Sequence, residues 1–121
     1  MKVKKYYSNL DQLDSLSYQD QACPIEYIMQ LIRSKGSILI LQELLKGKRR
    51  THELLEALGG MSSKTLTLRL RMLENYGIIR RQVYPEIPPH VEYSLTQKGQ
   101  ELQAVIQVLK QVGERLMEQD N

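Results

Sequence analysis

The chain has 121 residues, room for one core of ordinary size but not for two. Seventeen Lys and Arg against fourteen Asp and Glu leave a net charge of +3, and with no Trp or Phe the core falls to Leu, Ile, Val, Met and the seven Tyr, a set that favours helices. No stretch approaches the ~20 apolar residues of a membrane span, and Met1 to Tyr7 lacks the apolar region of a signal peptide, so a cytoplasmic protein with no membrane partner is expected. One cysteine excludes an internal disulfide and a cysteine-based metal site. Two isolated histidines and the lack of a Gly-rich phosphate loop leave no catalytic constellation, so no enzyme, metal or cofactor is expected. The charge is segregated. From Arg33 to Arg81 there are eleven Lys or Arg against four Glu, a net +7, while the remaining residues carry six against ten, a net −4. A basic block of this kind draws polyphosphate to one face.

In chain order, residues 1–22 are polar, with Tyr6, Tyr7 and Tyr18 scattered and no apolar period, and are expected to form an arm. Residues 23–121 are expected to form the folded domain. Pro24 suits the first turn of a helix carrying Ile25, Ile28, Leu31 and Ile32 at helical spacing. After a break at Ser34-Lys35-Gly36, Ile38 to Leu45 is apolar nearly all round, as in a central buried helix that ends at Lys46-Gly47. Lys48, Arg49 and Arg50 form a basic turn leading to a helix capped by Thr51, either a phosphate clamp or an ordinary solvated loop. His52 lies in that helix's first turn as a surface or capping residue.

Leu54, Leu55 and Leu58 mark a short helix ending at Gly59-Gly60, and the next helix runs from Ser62 to Asn75. In this second helix Leu66, Leu70 and Leu73 form an apolar stripe at i, i+4 and i+7. Ser63, Lys64, Thr67 and Arg71 lie opposite and carry hydroxyl or cationic groups, with Ser62 or Ser63 as N-cap. A helix, a Gly-containing turn and a donor-rich helix make a helix-turn-helix, and about 14 residues at 1.5 Å each give a length of roughly 20 Å that suits a DNA major groove.

Ile78 to Tyr84 and Val91 to Leu95 have strand character, and three prolines between Pro85 and Pro89 require a loop between them, closed by His90. Two strands and an exposed loop directly after a recognition helix describe a wing. Thr96 caps a final helix running to about Glu118, with Leu102, Val105, Ile106, Leu109, Val112, Leu116 and Met117 along one face. Such a stripe at the end of a small domain calls for a partner. Pairing with the same helix of a second chain, with Ile28 as a further contact, covers more of it than the domain itself can. The expected fold is mainly α with a small β-hairpin wing.

With these pieces placed, the sequence resembles the HxlR-type winged helix-turn-helix transcriptional regulators, a bacterial group with MarR-like architecture. The resemblance covers about Cys23 to Gly113. It is carried by Cys23-Pro24; by Leu39, Ile40, Leu41, Leu44, Gly47, Arg50 and Glu53-Leu54; and by Met61-Ser62, Lys64, Leu66, Thr67, Arg69-Leu70, Leu73-Glu74 and Gly77. The wing matches most closely, as Tyr84-Pro85-Glu86-Ile87-Pro88-Pro89-His90-Val91-Glu92-Tyr93-Ser94-Leu95-Thr96 with Gly99. Three departures stand out. Ser34-Lys35-Gly36 replaces a Gly-Lys-Trp segment, Thr51 stands where an aromatic is usual, and Leu68 where a polar residue is common.

The resemblance implies a homodimer on a near-palindromic operator in double-stranded DNA, with repression the favoured outcome. Ser62, Ser63, Lys64, Thr67 and Arg71 would serve base edges or nearby phosphates, and Lys48, Arg49, Arg50, Arg80, Arg81 and His90 the DNA backbone, although Lys64 or Arg71 could equally be a solvated charge. In several similar regulators a cysteine immediately before that proline senses oxidants or electrophiles, so Cys23 is a candidate sensor for an oxidant or small-molecule effector. Its alternative is a small buried residue at a helix start. A winged-helix module whose basic face meets an acidic protein is the competing function.

Overall fold

In a computed structural model, residues 23–120 are described; the arm expected over residues 1–22 lies outside them. The chain divides into two compact units, residues 1–34 and 35–121. The described part of the first unit is helix α1 (Pro24–Ile32). Proline stands at its first position, and Cys23 is its N-cap in extended conformation, its carbonyl accepting from the Tyr27 N–H at 3.1 Å.

The second unit begins with α2 (Lys35–Lys46), which buries Ser37, Ile40, Leu41 and Leu44 at steps of three and four. Ile38, Leu39 and Leu45 are only half-buried, so this helix is less enclosed than its sequence suggests. Gly47 ends it with φ of +146°, a value that L side chains rarely adopt. Where a turn was expected, Arg49–Arg50 forms a short strand, β1, before α3 (Thr51–Ala57). The N-cap of α3 is Arg50 rather than Thr51. The Arg50 N–H donates to Glu53 Oε1 at 2.7 Å, so the carboxylate three residues into the helix ties back its entry, which a threonine cap cannot do from inside the first turn.

Helix α3 passes through Leu58 and Gly60 (φ +97°) into α4 (Ser63–Asn75). Gly77, at φ +75°, stops α4: its N–H donates to the Glu74 carbonyl and the Ile78 N–H to the Leu73 carbonyl, both at 2.9 Å, the two bonds of a Schellman end. Strands β2 (Ile79–Tyr84) and β3 (His90–Leu95) follow, joined by the loop from Pro85 to Pro89, in which the Ile87–Pro88 bond is cis. The sheet is antiparallel in the order β1-β3-β2, with Arg49 and Arg81 both paired to Tyr93, and Arg50 and Gln82 both to Glu92. The wing therefore has three strands, not two.

The C-terminal segment is also divided. A short helix α5 (Gln97–Gln100), capped by Thr96, steps at Glu101 into α6 (Leu102–Gln119). The core consists of Leu and Ile, including Ile40, Leu41, Leu44, Leu54, Leu66, Leu70, Leu73, Ile78, Ile79, Leu102 and Ile106. No described tyrosine joins it. Each fully buried aliphatic side chain is worth about 1.5–3 kcal/mol, so the three leucines of α4 alone anchor that helix against thermal fraying.

Gly99 is buried, and a Cβ there would collide with the backbone carbonyl of Ile78. Gly99→Ala should lower unfolding free energy by about 1–3 kcal/mol, the usual cost of overpacking against groups that cannot retreat. Gly59→Ala, where a Cβ meets nothing within 4 Å, should leave stability nearly unchanged. Urea unfolding of the two variants beside the parent chain measures both effects.

Candidate nucleic-acid interface

Helix α4 separates its two faces sharply. Leu66, Leu70 and Leu73 are 0%, 2% and 0% exposed, whereas Ser62, Ser63, Lys64, Thr65, Thr67, Leu68 and Arg71 are all exposed. The outermost line, opposite the leucine stripe, is Lys64, Leu68, Arg71 and Asn75 at i, i+4, i+7 and i+11. Ser62 caps the helix. Its Oγ accepts from the Thr65 N–H at 3.1 Å and lies 3.1 Å from Thr65 Oγ1, so its hydroxyl is committed to the helix end. The amides of the first turn point outward there and favour an anion.

The pleat of the sheet sorts the remaining cations. Residues paired across antiparallel strands share a face, and alternate residues along a strand point to opposite faces. Arg49 and Arg81 therefore stand on the side of Ile79, Tyr93 and Leu95, the side that turns to the core. Arg50 and Arg80 stand on the other side with Glu92, Ser94 and His90. Each adjacent arginine pair in the sequence is thus split between two surfaces. Arg49 is half-buried, with Nε 3.6 Å from Glu43 Oε1 on α2 and one guanidinium N–H donating to the Lys48 carbonyl at 2.8 Å. Lys46 also donates to Glu43 at 2.8 Å, and this bond, with Arg49 nearby, holds the Glu43 carboxyl below its usual range. Lys48, Arg50, Arg80 and Arg81 are exposed.

His90, expected among the DNA contacts, is held by its own wing. Its ring stacks on Tyr84 with centroids 4.7 Å apart, Nδ1 lies 3.4 Å from Glu86 Oε2, and Nε2 lies 3.5 Å from Glu92 Oε2. Glu92 Oε2 is also 4.0 Å from Arg50 Nε. Sequence reading gave Glu92 no role beyond the wing match; its place opposite Arg50 follows from the pairing of β1 with β3, which no feature of the sequence signalled.

On α6, Leu102 and Ile106, expected at a dimer contact, are already buried in their own unit, since the first turns of the helix cross the core. Val105 and Gly113 are half-buried, and Val108, Leu109, Val112, Leu116 and Met117 are exposed. Cys23 is half-buried and Ile28 likewise. Among the described residues no group of three or more His, Cys, Asp and Glu could hold a metal, and no helix is long and apolar enough to cross a membrane.

A helix-turn-helix with a three-stranded wing, one strand before it and two after, is thus in place, and residues 31–121 match the model of the HxlR-like helix-turn-helix family. The chain belongs to the HxlR-like family. An HTH-type transcriptional regulator of Synechocystis sp. with no characterised role is 57% identical over 99 residues, spanning 82% of this chain and 73% of the relative. Among solved structures, the redox regulator HypR in its oxidized form superposes with a TM-score of 0.71 at 36% identity, covering 77% of this chain and 96% of HypR. A regulator assigned to the MarR family from Enterococcus faecalis V583 superposes with a TM-score of 0.74 at 34% identity, covering 84% and 92%. The chain is a helix-turn-helix transcriptional regulator of a DNA-binding family whose members are not enzymes.

Ser62→Ala should remove the N-cap of the recognition helix and lower stability by about 1 kcal/mol, while Ser62→Asp, which keeps an acceptor, should recover most of it. Urea denaturation separates the two.

Proposed function

We propose that this HxlR-like chain acts in the cytoplasm as a homodimeric repressor that binds a near-palindromic operator through α4 and responds to oxidants through Cys23. The observation that carries the DNA-binding reading is the two-faced α4, with its leucine stripe wholly buried and Lys64, Thr67 and Arg71 exposed on the other side. Arg can bond guanine through two donors, and the Thr methyl can meet thymine. Arg50, Arg80 and Lys48 supply phosphate contacts, which give affinity and salt dependence more than sequence choice.

The exposed Leu109, Val112 and Leu116, with Val105, support pairing of α6 with a second chain. A two-fold dimer sets its recognition helices about 34 Å apart, one turn of DNA. A redox role is supported by the likeness to HypR and by the place of Cys23 at the N-cap of α1. Peroxide converts the thiolate to sulfenic acid with release of water or hydroxide. A second thiol, from the partner subunit or a small molecule, then condenses to a disulfide and releases water.

Selection from a random duplex library, with reduced and peroxide-treated protein, tests this reading. A palindromic site is expected, bound differently in the two states by the parent chain and equally by Cys23→Ser. Arg71→Ala should weaken binding and relax base choice at one position per half-site. Arg80→Ala should weaken binding to all sequences and flatten the slope of log affinity against log salt by about two, one ion per protomer. Arg115→Ala on α6 should do none of this. Leu116→Glu should yield monomers in sedimentation and lose the site. If no sequence is enriched and an acidic protein is bound instead, the basic face is a protein-docking surface.

A further inference from the structure

The residue at the centre of the exposed face of α4 is apolar. Leu68 is 54% exposed, with Lys64 one turn before it and Arg71 one turn after. Nothing in the helix requires a leucine there. Leu66 and Leu70 point inward at 0% and 2% exposure, and a step of two residues turns Leu68 through more than half a turn away from both. Every other large exposed apolar side chain of the described residues lies on another element, so α4 itself carries no apolar patch around Leu68. A protein partner needs a contiguous apolar surface of several hundred Å². One isobutyl group set between two cations instead matches a small apolar group displayed among anions. In the DNA major groove that group is the C5-methyl of thymine.

We propose that Leu68 is a specificity-determining residue that reads a thymine methyl in each half-site, and that Lys64 and Arg71 hold it at groove depth. This rests on the reading of α4 as the DNA-recognition helix. The leucine donates and accepts no hydrogen bond, so it favours T over C in two ways, by contact with the methyl and by leaving the exposed amine of cytosine unsatisfied.

The test uses the full chain and the site recovered from a random duplex library. Each selected thymine is replaced in turn by deoxyuridine, which lacks only the methyl. For the parent chain, one position per half-site should weaken binding about four-fold, or about fifteen-fold when both half-sites are changed. For Leu68→Ala and Leu68→Gln the same replacement should have no effect. A flat uracil scan in the parent chain overturns the proposal whatever the variants do. An equal loss in parent and variants also overturns it and assigns the methyl to another residue, such as Thr67. Failure to select any site overturns the DNA-binding reading itself, and is distinct from a site that is selected but indifferent to uracil. Because Leu68 lies outside the core, both variants should unfold with the parent chain's midpoint.

Discussion

The carbonyl of Ile78 is the point on which the rest of the second unit depends. It accepts from the Thr96 N–H at 3.0 Å, lies 3.0 Å from Thr96 Oγ1, and has Gly99 pressed so close that a Cβ would collide with it. The same hydroxyl is 2.6 Å from the Gly77 carbonyl, and one proton serves both oxygens in turn. Lys98 Nζ donates to the Tyr76 carbonyl at 2.7 Å, and Thr96 Oγ1 accepts from the Gly99 N–H at 3.0 Å. Three successive carbonyls beyond the end of α4 are thereby satisfied from the beginning of the C-terminal segment. Only the Ile78 carbonyl is part-buried, and left bare it would cost about 1–3 kcal/mol; the Gly77 and Tyr76 carbonyls are exposed, and their bonds fix geometry more than they add stability.

A joint of this kind leaves α4 and α5 little freedom to tilt independently. In the proposed dimer, α6 would set the distance between subunits and α4 would meet the DNA. The joint would convert a small change in the packing of α6 into a change in recognition-helix spacing, because packed interfaces switch between arrangements rather than deform smoothly. The first turns of α6 stay coupled to this joint through the buried Leu102 and Ile106, while α6 extends beyond the core after Ile106.

The helices of the helix-turn-helix were legible because helical period alone decides them. Leu66, Leu70 and Leu73 went inward as the spacing requires, and of the two candidate caps, Ser62 and Ser63, it is Ser62 that closes the helix end. The wing hairpin was equally plain, with strand residues on either side of a loop that prolines forbid from pairing. What escaped was non-local. Arg49–Arg50 carries no strand signal in two residues, and becomes a strand only because β3 offers it an edge. The interruption at Glu101 left no trace in the apolar stripe, which begins only at Leu102, just beyond it, while Gly99 seats against Ile78, twenty-one residues away. The described tyrosines, expected to help fill a core lacking Phe and Trp, remain at its margin, because Leu and Ile fill the interior without a hydroxyl that must find a partner.

The cations show why a basic stretch does not amount to a basic surface. Arg49-Arg50 and Arg80-Arg81 read as two matched pairs, but side chains alternate along a strand, so the pleat separates each pair. Arg49 turns to the inner side and spends its charge near Glu43, where side-chain packing restricts its motion and leaves it less available to a phosphate. Arg50 and Arg80 share the outer side, but there Glu92 stands between their strands, and its carboxylate lies 4.0 Å from Arg50. An anionic ligand on that face must compete with a carboxylate already present. A phosphate carries a full charge on oxygens that guanidinium can bond through two donors, whereas Glu92 meets Arg50 at a distance beyond hydrogen bonding. The weaker internal partner therefore positions Arg50 without removing it from use, and Arg49, better held, contributes chiefly to the fold.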